Sequence, residues 1–504
     1  MTKSITKKLK NIVLFGILLL FIGFNISRPK EIRAVSEEDV QYIETNTAVS
    51  GQLESDNGIN YYKFTMEETG YFQLSFKIKG IDVYIGDGWD IQLLDSNGND
   101  VVQSYSDITG DFTSAKFPFS KGTNIYIKIS AHNSYYAPSS TQYELTVNTI
   151  SSNTWEQEYN DSIENADAIQ ANTTYSGNLY CDNDTDWYHF IVDRTGYFNI
   201  SFAIPEVDAY IDDGWDVTVY AEKEEINSFN ATSGVTSRPY NFKKGTNIYI
   251  KINANYSYHA PTSTEYQIKV NAVASNVWEQ EYNDSMADAT KLPINTTYSG
   301  TTYTKYDVDY YKVKIMQNGF VSLMFNPDDL AENLSDGYTM EVFNAKNTKL
   351  VTINGIKSET KNTYYFTKGT YYIRISNTNP DYYSPSNYTV YKLKVNLKVA
   401  VKPQKVTFKS VKAGRYAEWY QYYNTVNYRI ASIKNVDGYQ IQLSSNKNFK
   451  HKTSILTNNI KGSIGTRLKS KKKYYVRARA YYETPNGIKS YGDWSNVKTI
   501  KTKR

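Results

Sequence analysis

A chain of 504 residues exceeds what one hydrophobic core supports and divides, at roughly 100–200 residues per domain, into several units. Its 48 tyrosines, with abundant Thr, Val and Ile, favour strands over helices, and its single cysteine, Cys181, excludes an intramolecular disulfide. The net charge of +4 hides a separation: residues 402–504 carry 23 Lys and Arg against 4 acids, whereas residues 35–401 carry 26 against 47.

The chain begins with Lys3, Lys7, Lys8 and Lys10, followed by an apolar run over residues 12–24. That run is short of the ~20 residues a spanning helix needs, so residues 1–34 read as a secretory signal peptide with cleavage after Ala34. An uncleaved N-terminal anchor is the alternative. Export makes the protein secreted, extracellular or held at the cell surface.

Self-similarity organises the chain from there to residue 397. Trp155, Glu156, Gln157, Glu158, Tyr159, Asn160, Asp161 and Ser162 recur as Trp278, Glu279, Gln280, Glu281, Tyr282, Asn283, Asp284 and Ser285. Gly70, Gly196 and Gly319, each followed by an aromatic, the Lys-Gly-Thr turns at Lys121, Lys244 and Lys368, and Pro138, Pro261 and Pro385 keep the same order. Three homologous units therefore occupy residues 37–149, 154–272 and 277–397. A period of about 120 residues means separate beads and not a solenoid. Short alternating segments bounded by Gly, Asn, Asp or Pro make each bead an antiparallel β-sandwich. The polar linkers near residues 151–154 and 274–277 are short, so neighbours are closely tethered. Cys181 has no counterpart in the other two units and no neighbouring base, so it reads as incidental.

Residues 402–504 break the repeat. Leu468 with Tyr474 six residues on, the run Gly438, Tyr439, Gln440, Ile441, and the closing Trp494 and Ser495 make this segment resemble a fibronectin type III module. Ile430 stands where such modules usually place a core Trp, and residues 416–423 are an unusually aromatic insertion. The fold class is thus all-β: tandem β-sandwiches, three repeats and one fibronectin type III-like basic domain.

Glu156, Glu158, Asn160 and Asp161 place four oxygen donors within six residues, and strand alternation sends the first three to one side. Asp182, Asp184 and Asp186 alternate further on, but Trp187 occupies the place where an EF-hand needs Gly. Oxygen donors without His or Cys point to Ca²⁺ over Zn²⁺. The alternative is that the Asp and Asn side chains cap turns and the Glu side chains are solvated. The opening Glu-x-Glu-x-Asn-Asp-Ser, the Asp-x-Asp-aromatic-Tyr at residues 184–188 and 307–311, the following Gly-aromatic strand and the Lys-Gly-Thr together resemble the bacterial pre-peptidase C-terminal domain, including collagen-binding modules of secreted collagenases. That resemblance implies jelly-roll-like sandwiches with calcium between the opening segment and the Asp-bearing loop. The ligands it implies are Glu156, Glu158, Asn160, Asp161, Asp184 and Asp186 in the second repeat and Glu279, Glu281, Asn283, Asp284, Asp307 and Asp309 in the third. In the first repeat Gly58 and Asn60 stand in place of the two Asp, so no comparable site is expected there. The Asp-Gly-Trp-Asp at residues 87–90 and 213–216 reads as structural turn chemistry.

No activated nucleophile, H-E-x-x-H or G-x-S-x-G is present, and the four histidines share no repeat position, so an enzyme is not expected. Tandem modules gain from effective concentration on a repetitive ligand, so an adhesive partner among matrix proteins or glycans is expected. Tyr256, His259, Tyr382 and Tyr383 are candidate contact aromatics. The basic end is suited to a polyanion, which for an exported chain means anionic wall polymers, lipid headgroups or acidic surface chains and not nucleic acid; the alternative is a lysine-rich solvated surface that keeps the domain soluble. A calcium-stiffened spacer and an accessory protein of a secreted peptidase are the alternatives.

Overall fold

The computed structural model describes residues 37–79, 87–98, 101–133, 141–181, 183–205, 213–256, 264–304, 306–327, 336–381 and 390–504. The leader over 1–34, Asp182, Pro138, Pro261, Pro385, His259, Tyr382 and Tyr383 lie outside them. Apart from the 3-10 turn Glu37–Asp39, every regular element described is a strand. Among the described residues no helix is long and apolar enough to cross a membrane. The chain divides into two compact units, Met1–Asn153 and Thr154–Arg504.

In the first unit one sheet runs Val40–Tyr42, Ile59–Thr65, Asn124–Ala131, Trp89–Leu94, Val101–Ile108. The other runs Val49–Gly51, Gln142–Ser151, Gly70–Lys79, Phe112–Thr113, with Phe117–Phe119 also paired to Gly70–Lys79. The same strand order recurs twice in the second unit. There the first such sandwich pairs Asp167–Ala168, Thr185–Ile191, Asn247–Ala254, Trp215–Ala221 and Glu224–Ala231 in one sheet. Thr174–Gly177, Tyr266–Ala274, Gly196–Ala203 and Val235–Thr236 form its second sheet. The next sandwich matches it, with Val308–Ile315, Gly369–Asn377 and Tyr338–Asn344 central in one sheet and Val390–Val399 and Gly319–Pro327 central in the other.

The two-residue side-chain period explains the packing. In Asn247–Ala254, Ile248, Ile250 and Ile252 all turn inward and are fully buried; in Gly196–Ala203, Phe198, Ile200 and Phe202 meet them from the opposite sheet. Trp89 and Trp215, from the Asp-Gly-Trp-Asp segments, are completely buried. Gly214 sits at φ 65°, and a Cβ there would collide with the carbonyl oxygen of Ala231, so this motif sets a turn that only glycine makes without strain.

The last sandwich has one sheet of Phe408–Glu418, Gln421–Ile430 and Lys461–Leu468. Its second sheet holds Lys452–Thr457, Gly438–Ser444, Lys473–Glu483 and Lys489–Tyr491, with Lys498–Lys501 beside Lys473–Glu483. Ile430 fills the core position expected of a Trp and is fully buried. The backbone N–H of Lys469 donates to the Tyr474 hydroxyl at 3.1 Å, tying the corner that Leu468 and Tyr474 mark in the sequence. Trp494 lies against Arg477 and Arg479, whose guanidinium carbons sit 4.0 and 4.3 Å from its ring.

Candidate metal centre

Each candidate centre begins as an added edge. The opening segment of the second repeat lies parallel to the strand Thr174–Gly177 through Glu156 N–H to Ser176 O, 3.0 Å, and Ser176 N–H to Thr154 O, 2.8 Å. Extended backbone then turns Glu156 and Glu158 inward, where both are buried, and leaves Gln157 half-buried on the other side. The third repeat repeats the device with Glu279 N–H to Ser299 O, 3.0 Å, and Ser299 N–H to Val277 O, 2.8 Å. The Glu158–Tyr159 and Glu281–Tyr282 peptide bonds are cis.

Facing these glutamates are the Asp pairs at the start of the strands Thr185–Ile191 and Val308–Ile315. Asp186 shares the inward face of its strand with Tyr188, and Asp309 shares that of Tyr311. The result is two overlapping groups per repeat, each with carboxylate oxygens within 4.8 Å of one another. Glu156, Glu158 and Asp186 form one; Glu158, Asp161 and Asp184 form the other, so Glu158 belongs to both. Glu279, Glu281 and Asp309, and Glu281, Asp284 and Asp307, repeat the arrangement. Asp161 and Asp284 are exposed at the rim, and the other eight carboxylates are buried. Asn160 and Asn283 are fully buried as well. Asn283 accepts from Tyr310 N–H at 3.3 Å, whereas Asn160 Oδ1 has no hydrogen-bond partner.

Part of this oxygen set is held by fixed donors. Asn178 N–H and Thr301 N–H donate to Oε1 of Glu156 and Glu279 respectively, each at 2.6 Å. Tyr180 N–H and Tyr303 N–H do the same for Asp184 and Asp307, at 2.6 and 2.8 Å. Beneath lies a tyrosine pair, absent from the sequence-based ligand set: Tyr188 with Tyr266 and Tyr311 with Tyr391, hydroxyls 2.7 Å apart in both repeats. Tyr266 donates to Asp186 and Tyr391 to Asp309, both at 2.5 Å. A glycine makes room for them. A Cβ on Gly177 would lie 2.5 Å from the Tyr266 hydroxyl, and one on Gly300 would lie 2.5 Å from those of Tyr311 and Tyr391. The signal for Tyr188 and Tyr311 is the recurring Asp-x-Asp-aromatic-Tyr, but a strand tyrosine, as Tyr266 and Tyr391 are, also reads as ordinary core.

Other oxygens have no donor at all. Both Glu158 oxygens, Asp186 Oδ1, Glu281 Oε1, Asp307 Oδ1 and Asp309 Oδ1 are buried without a hydrogen-bond partner. Burial first, and then the like charges of Asp184 and Asp186, push the Glu158 carboxyl far above the usual carboxylate range. Burial and Asp186 raise Asp184 to about 9. Glu156, Asp186, Glu281, Asp307 and Asp309 also move strongly upward, with burial the first cause in each. Such a cluster is tolerable only if it holds protons or a cation. A hard cation fits: every donor is oxygen, the unpartnered atoms converge, and neither His nor Cys belongs to a group.

The first repeat keeps the frame and changes its charge. Tyr62 and Tyr143 hold the paired hydroxyls 2.8 Å apart, yet Asn60 replaces the second Asp and its Nδ2 donates to Tyr143 at 2.6 Å. Gly58 lies in a turn closed by its N–H to Ser55 O. No group of three acids gathers there among the described residues.

No protein-family profile matches the chain. Among solved structures it is similar to the pre-peptidase C-terminal domain of collagenase from Bacillus anthracis, at 18% identity and a TM-score of 0.17, covering 21% of this chain and 94% of that one. It is also similar to the chicken CNTN1 FN1–FN3 domains, at 12% identity and a TM-score of 0.18, covering 62% and 96%. A third similarity, to the CUB1-EGF-CUB2 segment of human MASP-1/3, has 11% identity and a TM-score of 0.15, covering 44% and 98%.

Proposed function

We propose that this is an exported, non-catalytic binding protein whose second and third repeats each hold calcium, in the manner of pre-peptidase C-terminal domains. The observation that carries the reading is that equivalent groups of carboxylates gather in two repeats and that each contains buried oxygens without hydrogen-bond partners. Glu156, Glu158, Asp161, Asp184 and Asp186, with the amide oxygen of Asn160, supply the oxygens in one; Glu279, Glu281, Asp284, Asp307 and Asp309 supply them in the other. Calcium accepts six to eight oxygens in irregular geometry, which suits ligands drawn from two separate segments. The tandem repeats then engage a repetitive extracellular ligand, a matrix protein or a glycan, through multivalency. The basic domain over 402–504 adds affinity for an anionic surface.

A spacer role has its own support, because the third repeat's acidic segment is also the joint with the second. Glu281 N–H donates to Asn241 O at 2.9 Å, Lys243 N–H donates to Glu281 O at 3.1 Å, and Tyr197 packs at a tilt against Trp278 with centroids 4.5 Å apart. Calorimetric titration of the full chain with calcium tests the proposal. Wild type should bind at both repeats; the Asp184→Asn/Asp186→Asn and Asp307→Asn/Asp309→Asn pairs should each remove one repeat's share of the heat. Silent titrations in all three proteins would end the calcium reading.

A further inference from the structure

The last domain carries a feature that is independent of calcium and of the acidic repeats. Phe408–Glu418 and Gln421–Ile430 form a long hairpin whose two-residue turn is Trp419–Tyr420. Turns of this kind favour Asn-Gly because both positions take positive φ. Here Trp419 and Tyr420 adopt φ 48° and 63°, a region that bulky residues avoid. Among the described residues neither ring is buried: Trp419 is 86% exposed, Tyr420 105% and the nearby Tyr422 74%. Two large aromatic rings are presented to solvent from the position least suited to them.

The setting of this tip is basic and one-sided. Asn424 pairs with Leu468 and its side chain donates to the carbonyl of Lys503, so the hairpin leaves the domain at the end that holds residues 469–473 and Lys503. Arg415, Arg467, Lys471, Lys472, Lys473 and Arg504 are all exposed there. The one acid beside the tip, Glu418, is paired with Arg467 at 3.3 Å. Asp437 and Glu483, by contrast, meet at the opposite end, where the Glu483 N–H donates to Asp437. Tyr482 at that same far end packs on Phe320 and Tyr365 of the third repeat. The strand Lys473–Glu483 separates the two ends by roughly 35 Å, so the aromatic tip lies at the end of the domain opposite its contact with the third repeat.

The geometry points to the Trp419–Tyr420 hairpin as an anchor that enters the interface of an anionic lipid bilayer, with the surrounding Lys and Arg seated on its phosphates. Trp and Tyr prefer that interface because their rings are apolar and their polar edges stay hydrated. Polybasic surfaces add attraction to anionic leaflets. A protruding tip of free rings suits penetration, whereas a glycan-stacking site wants a flat platform flanked by hydrogen-bonding groups.

The test is sedimentation of the full chain with vesicles of mixed phosphatidylglycerol and phosphatidylcholine, and with phosphatidylcholine alone, with and without calcium. Binding should require the anionic lipid, persist in a chelator and weaken with salt. Trp419→Ser with Tyr420→Ser should cut affinity about tenfold while leaving the salt dependence in place. Lys471→Glu with Lys472→Glu and Lys473→Glu should cut it further and flatten the salt dependence. Unchanged melting temperatures verify that both variants fold. No vesicle binding, or equal binding by the tip variant, overturns the proposal. So does full competition by soluble polyglycerol phosphate that itself needs Trp419 and Tyr420, which would make a wall polymer the occupant.

Discussion

Asp186 and Asn60 occupy equivalent places over equivalent tyrosine pairs, Tyr188 with Tyr266 and Tyr62 with Tyr143, and one side chain is an acid where the other is its amide. Replacing Asp186 by Asn should therefore convert the second repeat toward the first. In a chelator, Asp186→Asn removes a carboxylate that Glu156 repels and should raise the melting temperature by about 3 °C. With calcium the order should invert, because the variant loses the ligand-induced gain. Scanning calorimetry with and without calcium reads both effects. Gly300→Ala asks the Glu279 carboxylate and the Tyr311 and Tyr391 hydroxyls to move and should cost roughly 1–3 kcal/mol, measured as a lower denaturant midpoint. The acids at this scale were legible because the pattern recurs across two repeats in alternating, same-side spacing. The tyrosines were not, since a buried Tyr on a sandwich strand looks the same whether it packs or positions a carboxylate. Trp419 and Tyr420 stood out as an aromatic insertion, but their strained turn needs backbone angles that no residue type announces.

At the scale of the strand and its neighbours, the buried acids couple protonation to folding. The folded metal-free chain binds more protons than the unfolded chain, because its buried carboxyls titrate above their ordinary range. Their contribution to stability is therefore greatest at acid pH and is lost as pH climbs toward the raised value of about 9 at Asp184. Melting curves in a chelator should fall between about pH 5 and about pH 8; with calcium they should hold or rise, since the metal needs the deprotonated ligands. A fall that calcium leaves untouched would separate this acidity from metal binding. The strand-rich sandwiches were readable from alternation alone, as in the Ile248, Ile250 and Ile252 series. The added edge beside Thr174–Gly177 was not, because its pairing depends on a bridge between Trp155 and Ser176 that has no local signal.

Over the whole molecule, charge is distributed by segment, with residues 35–401 acidic and 402–504 basic. Opposite segments of different copies should attract when salt is low and separate when it is high. Light scattering across ionic strength should show association that salt reverses; calcium, by neutralising the repeats, should lower the salt needed. Within Thr154–Arg504, the joint between the second and third repeats should also tighten with calcium. Limited proteolysis near residues 274–277 should slow on calcium addition in wild type and not in Asp307→Asn/Asp309→Asn.

The position of the opening segments gives that joint a mechanical meaning. A pull along the chain reaches residues 154–161 or 277–284 before it reaches the sandwich strands beyond them, because each segment lies between its linker and its own sheet. The Glu156–Ser176 and Glu279–Ser299 bonds are parallel pairings loaded in shear, and the carboxylates behind them face the strands that carry Asp186 and Asp309. An ion gripped there acts as a rivet through the first part to yield. The second and third repeats would then each surrender the clasp at a force set by how fast that rivet lets go, while the hydrophobic cores beyond stay closed.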